Sequence, residues 1–494
     1  MFDRINWEDR GRQPMYDYLY SVIRDRILEG TLRPGEKLPS KRTLSLENDI
    51  ALITVENAYA QLIAEGYLES RERRGYFVSD QISILGSGGE SADQPAPSEE
   101  SDNEKKTPVI ADFATGQIFE EDFPFATWAK LFRRVLSAAE PGLRNSPHPQ
   151  GVPELREAIR EYLQKSRGLS VSVDRIIVGP GTEYLHLILL QLFEDSAVVA
   201  VEDPGYKKIG QIYETCGHNC LHIPVDADGL RVECLEGQGV KLIHTSPSHH
   251  FPTGAIMPAF RRLDLIRYAQ REGCYIIEDD YDSEFRFTGR PIPPLSAMDA
   301  AHVIYMNTFT RTLSPSVRIA YMVLPEALQE RYNSELSFYA GSVSSIDQYA
   351  LALFLQEGYY ERHISRMRTH YKNQRRQFRE MLEHSDLSRV AHLKEDPAGL
   401  TFLLEIPGLP ENREKALVEL LKERGILVRA LTDYYYDAGK NKRTNASACL
   451  ILNHASVREN EWEQAIGILK DTIKECKSET RRGKKICHKP SIGV

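Results

Sequence analysis

Three things are scarce in this chain. Cysteine is one, with seven among 494 residues. That odd, sparse set does not make a disulfide framework, and it points to reduced thiols and a cytoplasmic setting. Long apolar runs are missing, so no membrane span is expected. The opening Met1-Phe2-Asp3-Arg4 has no apolar secretion core. Positive charge is in deficit: 62 lysines and arginines face 71 acidic residues, for a net charge of −9. This argues against a protein that coats nucleic acid by charge alone. A small DNA-binding module inside an acidic chain stays open.

The rest of the composition is ordinary for a globular protein, with 41% hydrophobic and 27% charged residues. The length asks for more than one core. Residues 12–80 show helical apolar periodicity followed by a short alternating stretch. Residues 81–107 have no aromatic residue and are rich in Ser, Gly, Pro and acidic side chains, so a disordered linker is expected. Residues 108–476 alternate short β-branched runs such as Arg175-Ile176-Ile177-Val178 and Cys274-Tyr275-Ile276-Ile277 with amphipathic stretches. That pattern implies crossover units on a mainly parallel sheet. Residues 477–494, with Arg481-Arg482-Gly483-Lys484-Lys485, read as a basic tail.

In the first zone Tyr16, Leu19, Tyr20, Ile23 and Ile27 mark one helix. Ser40 is placed to cap a second, and Asn48-Asp49 marks a turn. Thr54 to Leu62 reads as a third helix. Gly66 to Ser70 and Gly75 to Val78 pair as a hairpin around Arg71-Glu72-Arg73-Arg74. The sum is a winged helix-turn-helix. It resembles the winged helix of GntR-family regulators in Leu38-Pro39-Ser40-Lys41-Arg42, Thr54-Val55 with Ala58-Tyr59, Glu65-Gly66-Tyr67-Leu68 and the Gly75 wing. The resemblance implies that Ser40, Arg42, Thr54 and Asn57 contact phosphates or base edges. It also implies that the wing at Arg74 and Gly75 reaches an adjacent groove. One departure is Ile50-Ala51-Leu52-Ile53, where that family carries small polar and basic residues. Apolar side chains there give up hydrogen bonds and suit thymine methyls.

The large zone resembles fold-type I aminotransferases, and the whole chain resembles MocR-type regulators, which join a GntR winged helix to such a domain. The matching pieces run in order. They are Gly151-Val152 with Leu155-Arg156, Gly179 with Gly181-Thr182-Glu183-Tyr184, Glu202-Asp203-Pro204-Gly205-Tyr206, Ser246 to Gly254, Glu278 to Phe285, and the loop around Arg311 followed by Arg318. The implied architecture is multidomain. A winged helix-turn-helix precedes an α/β fold-type I aminotransferase-like domain with a small C-terminal α+β subdomain. The implied cofactor is pyridoxal 5'-phosphate. Gly181 and Thr182 open a helix whose free N–H groups suit a phosphate, and Thr308, Thr310 and Arg318 complete that cradle. Tyr184 is assigned to stack on the ring, Asp279 to pair with the pyridinium nitrogen and Tyr281 to bond the ring hydroxyl. Arg429 is the candidate for a ligand carboxylate.

Arg311 stands where the resemblance calls for the lysine that binds the cofactor covalently. A Schiff base needs an amine that can lose its proton, and a guanidinium stays charged. Cofactor binding is therefore expected to be noncovalent at best, and no catalytic residue is assigned. Lys207 and Lys208 follow Tyr206 in a loop near the site. Cys216, His218, Cys220 and His222 alternate as if on one face of a strand. Zinc sites more often use loop-type knuckles, so no metal is assigned. The expectation is a DNA-binding regulator with no membrane association, not an enzyme because Arg311 replaces the Schiff-base lysine, that dimerises on operator DNA and senses an amine, an amino acid or a vitamin B6 form. Two rivals remain: a working aminotransferase that uses another amine, and a scaffold that has lost both cofactor and DNA recognition.

Overall fold

Apolar residues at helical spacing build the first unit. Leu19, Tyr20, Ile23 and Ile27 are the buried residues of α1 (Met15–Leu28), while Tyr16 stays exposed. The chain passes through β1 (Lys37–Leu38) into α2 (Lys41–Asn48). Ser40 caps α2, its hydroxyl accepting the Thr43 N–H at 3.1 Å. Asp49 ends that helix in the left-handed region, with φ 52°. Then comes α3 (Leu52–Ala64), two residues longer at each end than expected. β2 (Leu68–Arg71) and β3 (Gly75–Val78) pair antiparallel as the wing. The short β1, a strand not expected from the sequence, joins them in the order β1-β3-β2. Leu44, Val55, Tyr59 and Leu62 fill the centre, and Tyr59 donates its hydroxyl to the Pro39 carbonyl at 3.0 Å.

The computed structural model describes residues 5, 7, 10–11, 13–71, 74–80, 108–115, 123–138, 141–287, 292–394, 399–436 and 447–481. The chain divides into two units, Met1–Lys106 and Thr107–Val494. The expected linker at 81–107, the wing-tip residues Glu72 and Arg73, and tail residues 482–494 lie outside the described residues.

In the second unit the β-branched runs become β4 (Ile176–Gly179), β5 (Val198–Asp203), β6 (Asn219–Asp226), β7 (Gly229–Leu230), β8 (Val240–Thr245), β9 (Tyr275–Asp279), β10 (Val303–Thr308) and β11 (Ala320–Val323). They form one sheet in the order β4-β11-β10-β9-β8-β5-β6-β7. β6, β5, β8, β9 and β10 run parallel. β11 is antiparallel to both its neighbours, and β7 is antiparallel to β6. Helix α4 (Pro153–Arg167) precedes β4, and α5 (Thr182–Leu190), α6 (Lys207–Thr215) and α7 (Ala259–Glu272) lie between strands in the chain. Side-chain alternation decides what each strand residue meets: Ile176 and Val178 pack with α4, whereas Ile177 packs with α5 and α6. Both faces are thus covered, as the unbroken apolar runs require.

The long helix α8 (Tyr359–His384) serves two cores with one stripe. Tyr360 and Ile364 join the sheet core, while Phe378 and Leu382 join that of the small subdomain. There β12 (His392–Leu393), β13 (Thr401–Pro410), β14 (Arg429–Ala430) and β15 (Ser447–Asn453) form an antiparallel sheet ordered β12-β13-β15-β14. Helices α9 (Glu414–Glu423) and α10 (Trp462–Arg481) accompany it. α10 corrects the expected tail boundary at 477. Its buried stripe of Ile466, Leu469, Ile473 and Cys476 carries the helix onward to Arg481. Among the described residues no helix is long and apolar enough to cross a membrane.

Candidate functional site

The carboxyl ends of β4, β5, β8, β9 and β10 share one edge of the sheet, the edge at which α/β proteins hold ligands. A cavity of about 720 Å³ opens there, within the usual range for a small molecule. Gly181, Thr182, Asp279, Tyr281, Thr308, Thr310, Arg311, Arg318 and Arg429 all line it. Tyr184 does not. It lies on α5 and packs against the apolar cluster beneath the sheet, so the stacking role assigned to it is corrected. Tyr206, half-exposed in the loop after β5, is an aromatic residue that does line the cavity. The sequence carried a signal for it in Asp203-Pro204-Gly205-Tyr206, a loop already placed near the site.

At one end Gly181 caps α5 with φ 107°. A side chain there would be strained, and its Cβ would come within 2.8 Å of the Arg318 guanidinium. The backbone therefore approaches closely where N–H groups of the helix start are free. Thr308 and Thr310 hold the facing loop. The Thr308 hydroxyl lies 3.0 Å from that of Thr310 and accepts the Thr310 N–H at 3.1 Å. Glu183 faces the Arg318 guanidinium at 4.0 Å and pairs with Lys208.

Deeper in, Asp279 ends β9. Its Oδ1 is buried with no hydrogen-bond partner, and its Oδ2 lies 3.7 Å from His244 Nε2. The His244 ring stands 5.3 Å from His186, whose Nδ1 meets the Tyr213 hydroxyl at 3.0 Å. Burial, followed by His244, drives the pKa of His186 well below the usual histidine range, so His186 is neutral. The Tyr281 hydroxyl is 3.3 Å from His249 Nδ1, which lies 2.8 Å from Asp282. An orphaned buried carboxylate oxygen costs free energy until a donor meets it. A phosphorylated pyridine fits this set, its ring nitrogen toward Asp279 and its phosphate toward the Gly181 end. Position 311 offers such a ring no amine. Lys207 and Lys208 also line the cavity, Lys208 tied to Glu183.

The small subdomain supplies one wall, which no sequence motif announced. Gly205 N–H donates to the Tyr434 carbonyl at 3.1 Å, and Tyr436 N–H donates to Asp203 at 3.0 Å. The Tyr436 ring stacks on His222 at 3.5 Å, and its hydroxyl donates to Glu214 at 2.7 Å. His222 thus belongs to the wall. The expected alternation of Cys216, His218, Cys220 and His222 on one strand face does not occur. Cys216 caps the end of α6, and β6 begins only at Asn219.

Behind Asp279 lies a buried polar network. Glu278 and Asp280 point away from Asp279 by strand alternation. Asp280 pairs with Arg167 at 2.7 Å and accepts the Tyr305 hydroxyl at 2.6 Å. Glu278 accepts the Leu295 and Ser296 N–H groups at 2.7 and 3.0 Å. Glu284 accepts the Tyr162 hydroxyl at 2.9 Å, and its other oxygen has no partner. Burial, then the Asp280 charge, pushes both Glu278 and Glu284 up to about 7.

In the first unit Ser40, Arg42, Asn57 and Arg74 are exposed, and Thr54 and Gly75 are half-buried. The Ser40 hydroxyl is committed to its cap and to Thr43 at 2.7 Å. Of the departure at the start of α3, Ile50 is buried in the core, whereas Ala51, Leu52 and Ile53 are exposed, the last two at 38% and 60%; Leu46 on α2 is exposed at 82%. Lys41 lies over Tyr76 and Arg71 over Phe77, at 5.5 and 4.8 Å from the ring centres.

Residues 109–469 match the family Aminotransferase class I and II, and residues 15–78 match the family Bacterial regulatory proteins, gntR family. The chain is 35% identical to the HTH-type transcriptional regulator YdeL of Bacillus subtilis, over 92% of this chain and 96% of that protein. It is 34% identical to the probable rhizopine catabolism regulatory protein MocR of Rhizobium meliloti, over 74% and 76%. It is 31% identical to the HTH-type pyridoxine biosynthesis transcriptional regulator PdxR of Corynebacterium glutamicum, over 85% and 89%. Among solved structures, an archaeal alanine:glyoxylate aminotransferase matches at 26% identity with a TM-score of 0.65, over 75% of this chain and 92% of that one. The chain belongs to the MocR-type transcriptional regulators, in which a GntR helix-turn-helix is joined to an aminotransferase class I and II domain.

The buried carboxyls generate a pH prediction. Glu284 has a folded value near 7 against 4.5 for the free group. The native state keeps the proton across that window and loses stability as pH rises through it. Glu284→Gln keeps an acceptor for Tyr162 and removes the titration. Its melting temperature, relative to the unaltered protein, is expected to rise between pH 5 and pH 8, by an amount equivalent to on the order of 1–3 kcal/mol. Parallel melting curves across that range would refute the assignment.

Proposed function

We propose that the protein is a homodimeric regulator that binds operator DNA through its winged helix and senses a small molecule in the large unit, without transaminase catalysis. The observation that carries the reading is one cavity in which Asp279 keeps an unpaired buried oxygen while a guanidinium occupies position 311. The effector class is an amine, an amino acid or a vitamin B6 form. Asp279 orients a ring nitrogen and keeps its proton in place. Thr308, Thr310, Arg318 and the start of α5 bind a phosphate, and Tyr206 covers a ring face. A bound pyridoxal phosphate supplies an electron sink. Arg311 supplies charge and hydrogen bonds, and it neither carries a substrate nor takes a proton from one. Ligand binding then shifts populations of the large unit, with operator affinity as the output.

The test is twofold. Pyridoxal phosphate is titrated into the protein and into Arg311→Lys, followed by borohydride and mass measurement. A covalent adduct is expected in Arg311→Lys alone. An adduct in the unaltered protein that maps to Lys207 or Lys208 would restore the enzyme reading. In parallel, operator affinity is expected to change when pyridoxal phosphate, pyridoxamine phosphate or an amino acid is added. Indifference to all of them would remove the sensor role.

For the DNA unit we propose that Ala51, Leu52 and Ile53 read thymine methyls, because their exposed apolar surface opens the helix assigned to the groove. Uracil in place of operator thymines is expected to weaken binding by about 1 kcal/mol per contacted methyl. Equal affinity for both DNAs would count against apolar readout.

A further inference from the structure

Arg311 faces the cavity with an unneutralised charge. Among the described residues it makes no hydrogen bond and no ion pair. Its neighbours differ. Lys208 pairs with Glu183, and Arg318 lies 4.0 Å from the same carboxylate. Arg429 gives Nε to the Ala114 carbonyl at 3.3 Å, which leaves its terminal nitrogens without a carboxylate among the described residues. Arg311 and Arg429 also stand near one phenol. Burial raises Tyr434 to about 12, and both guanidiniums pull against that rise.

A guanidinium that lines a cavity without a carboxylate of its own is half of an ion pair. Its planar fork matches a carboxylate through two parallel hydrogen bonds, and it cannot relieve the charge by losing a proton. The end assigned to a phosphate has a cation of its own, since the Arg318 guanidinium stands against Gly181. We infer that Arg311, with Arg429 beside the same tyrosine, anchors the carboxylate of an effector whose other end is a phosphate. The ligand class is a phosphorylated amine–carboxylate conjugate, of the kind made when a vitamin B6 phosphate and an amino acid are joined. This rests on the proposed vitamin B6 cradle and narrows it. A lysine at 311 would capture an aldehyde covalently, whereas the guanidinium holds a carboxylate by charge and releases it unchanged.

The test uses two probes that differ by one carboxylate: N-(5'-phosphopyridoxyl)glycine and N-(5'-phosphopyridoxyl)methylamine. Calorimetric titration of the full-length protein is expected to show the glycine conjugate binding at least about tenfold tighter. In Arg311→Gln that advantage is expected to fall below about threefold. Arg311→Lys keeps a cation without the fork, spares the fold, and is expected to give an intermediate ratio. Equal binding of the two probes by the unaltered protein overturns the inference and leaves the cradle standing. An undiminished advantage in Arg311→Gln or Arg311→Lys overturns it too, assigning the carboxylate to another residue. If neither probe binds the unaltered protein, the cradle itself fails and this inference falls with it.

Discussion

Strands that run the same way through a sheet must end on the same edge, and the cavity exists because five of them do. Gly179, Asp203, Thr245, Asp279 and Thr308 close their strands there. Everything that lines the cavity at its base follows from what the chain carries at or just past those ends. The same geometry sorts three adjacent acids. Asp279 faces the cavity, while Glu278 and Asp280 turn the other way into a buried network. A one-residue slip of β9 would exchange these environments and put the wrong carboxylates at the site.

Within that frame the proposed reading separates receptor from catalyst by one side chain, at position 311. The cavity is lined by Gly181, Thr308, Thr310 and Arg318, by Asp279 and by Tyr206, the groups assigned in the proposal to a phosphate, a ring nitrogen and a ring face. At position 311 it has the planar guanidinium of an arginine. A permanent charge in a partly enclosed space needs an opposite charge, and the described residues provide none for it. The small subdomain matters here because it delivers Arg429, Tyr434 and Tyr436 to the same space. The Gly205 N–H, donated to the Tyr434 carbonyl, and the Asp203 carboxylate, accepting the Tyr436 N–H, secure that wall.

The DNA unit follows a different logic. Its basic residues are partly engaged with aromatic rings of the wing and with acids, as Lys41 is with Tyr76 and Glu56. What the start of α3 offers to solvent is apolar. In the proposed mode of DNA binding, phosphate attraction and base discrimination fall to different residues, the first to exposed cations such as Arg42 and the second to the exposed Leu52 and Ile53.

Local chemistry was legible in the chain itself. The cap at Ser40, the turn at Asp49, the alternation that puts Asp279 at a strand end and the missing amine at 311 each depend on neighbours a few residues away. Most of the cavity residues were legible for a related reason, since they sit in short segments at the ends of strong strands. Contacts between distant segments were not. The strand Lys37–Leu38 is too short to show a pattern and exists only by pairing with Tyr76 and Phe77. Tyr184 and Tyr206 are both aromatic residues beside the site, and only packing decides that the first covers the core and the second the cavity. The stacking of Tyr436 on His222 joins residues more than two hundred positions apart. Sequence determines which groups the chain can offer, because periodicity and side-chain chemistry are local. Tertiary structure decides which of them meet, because that depends on how the whole chain closes its cores.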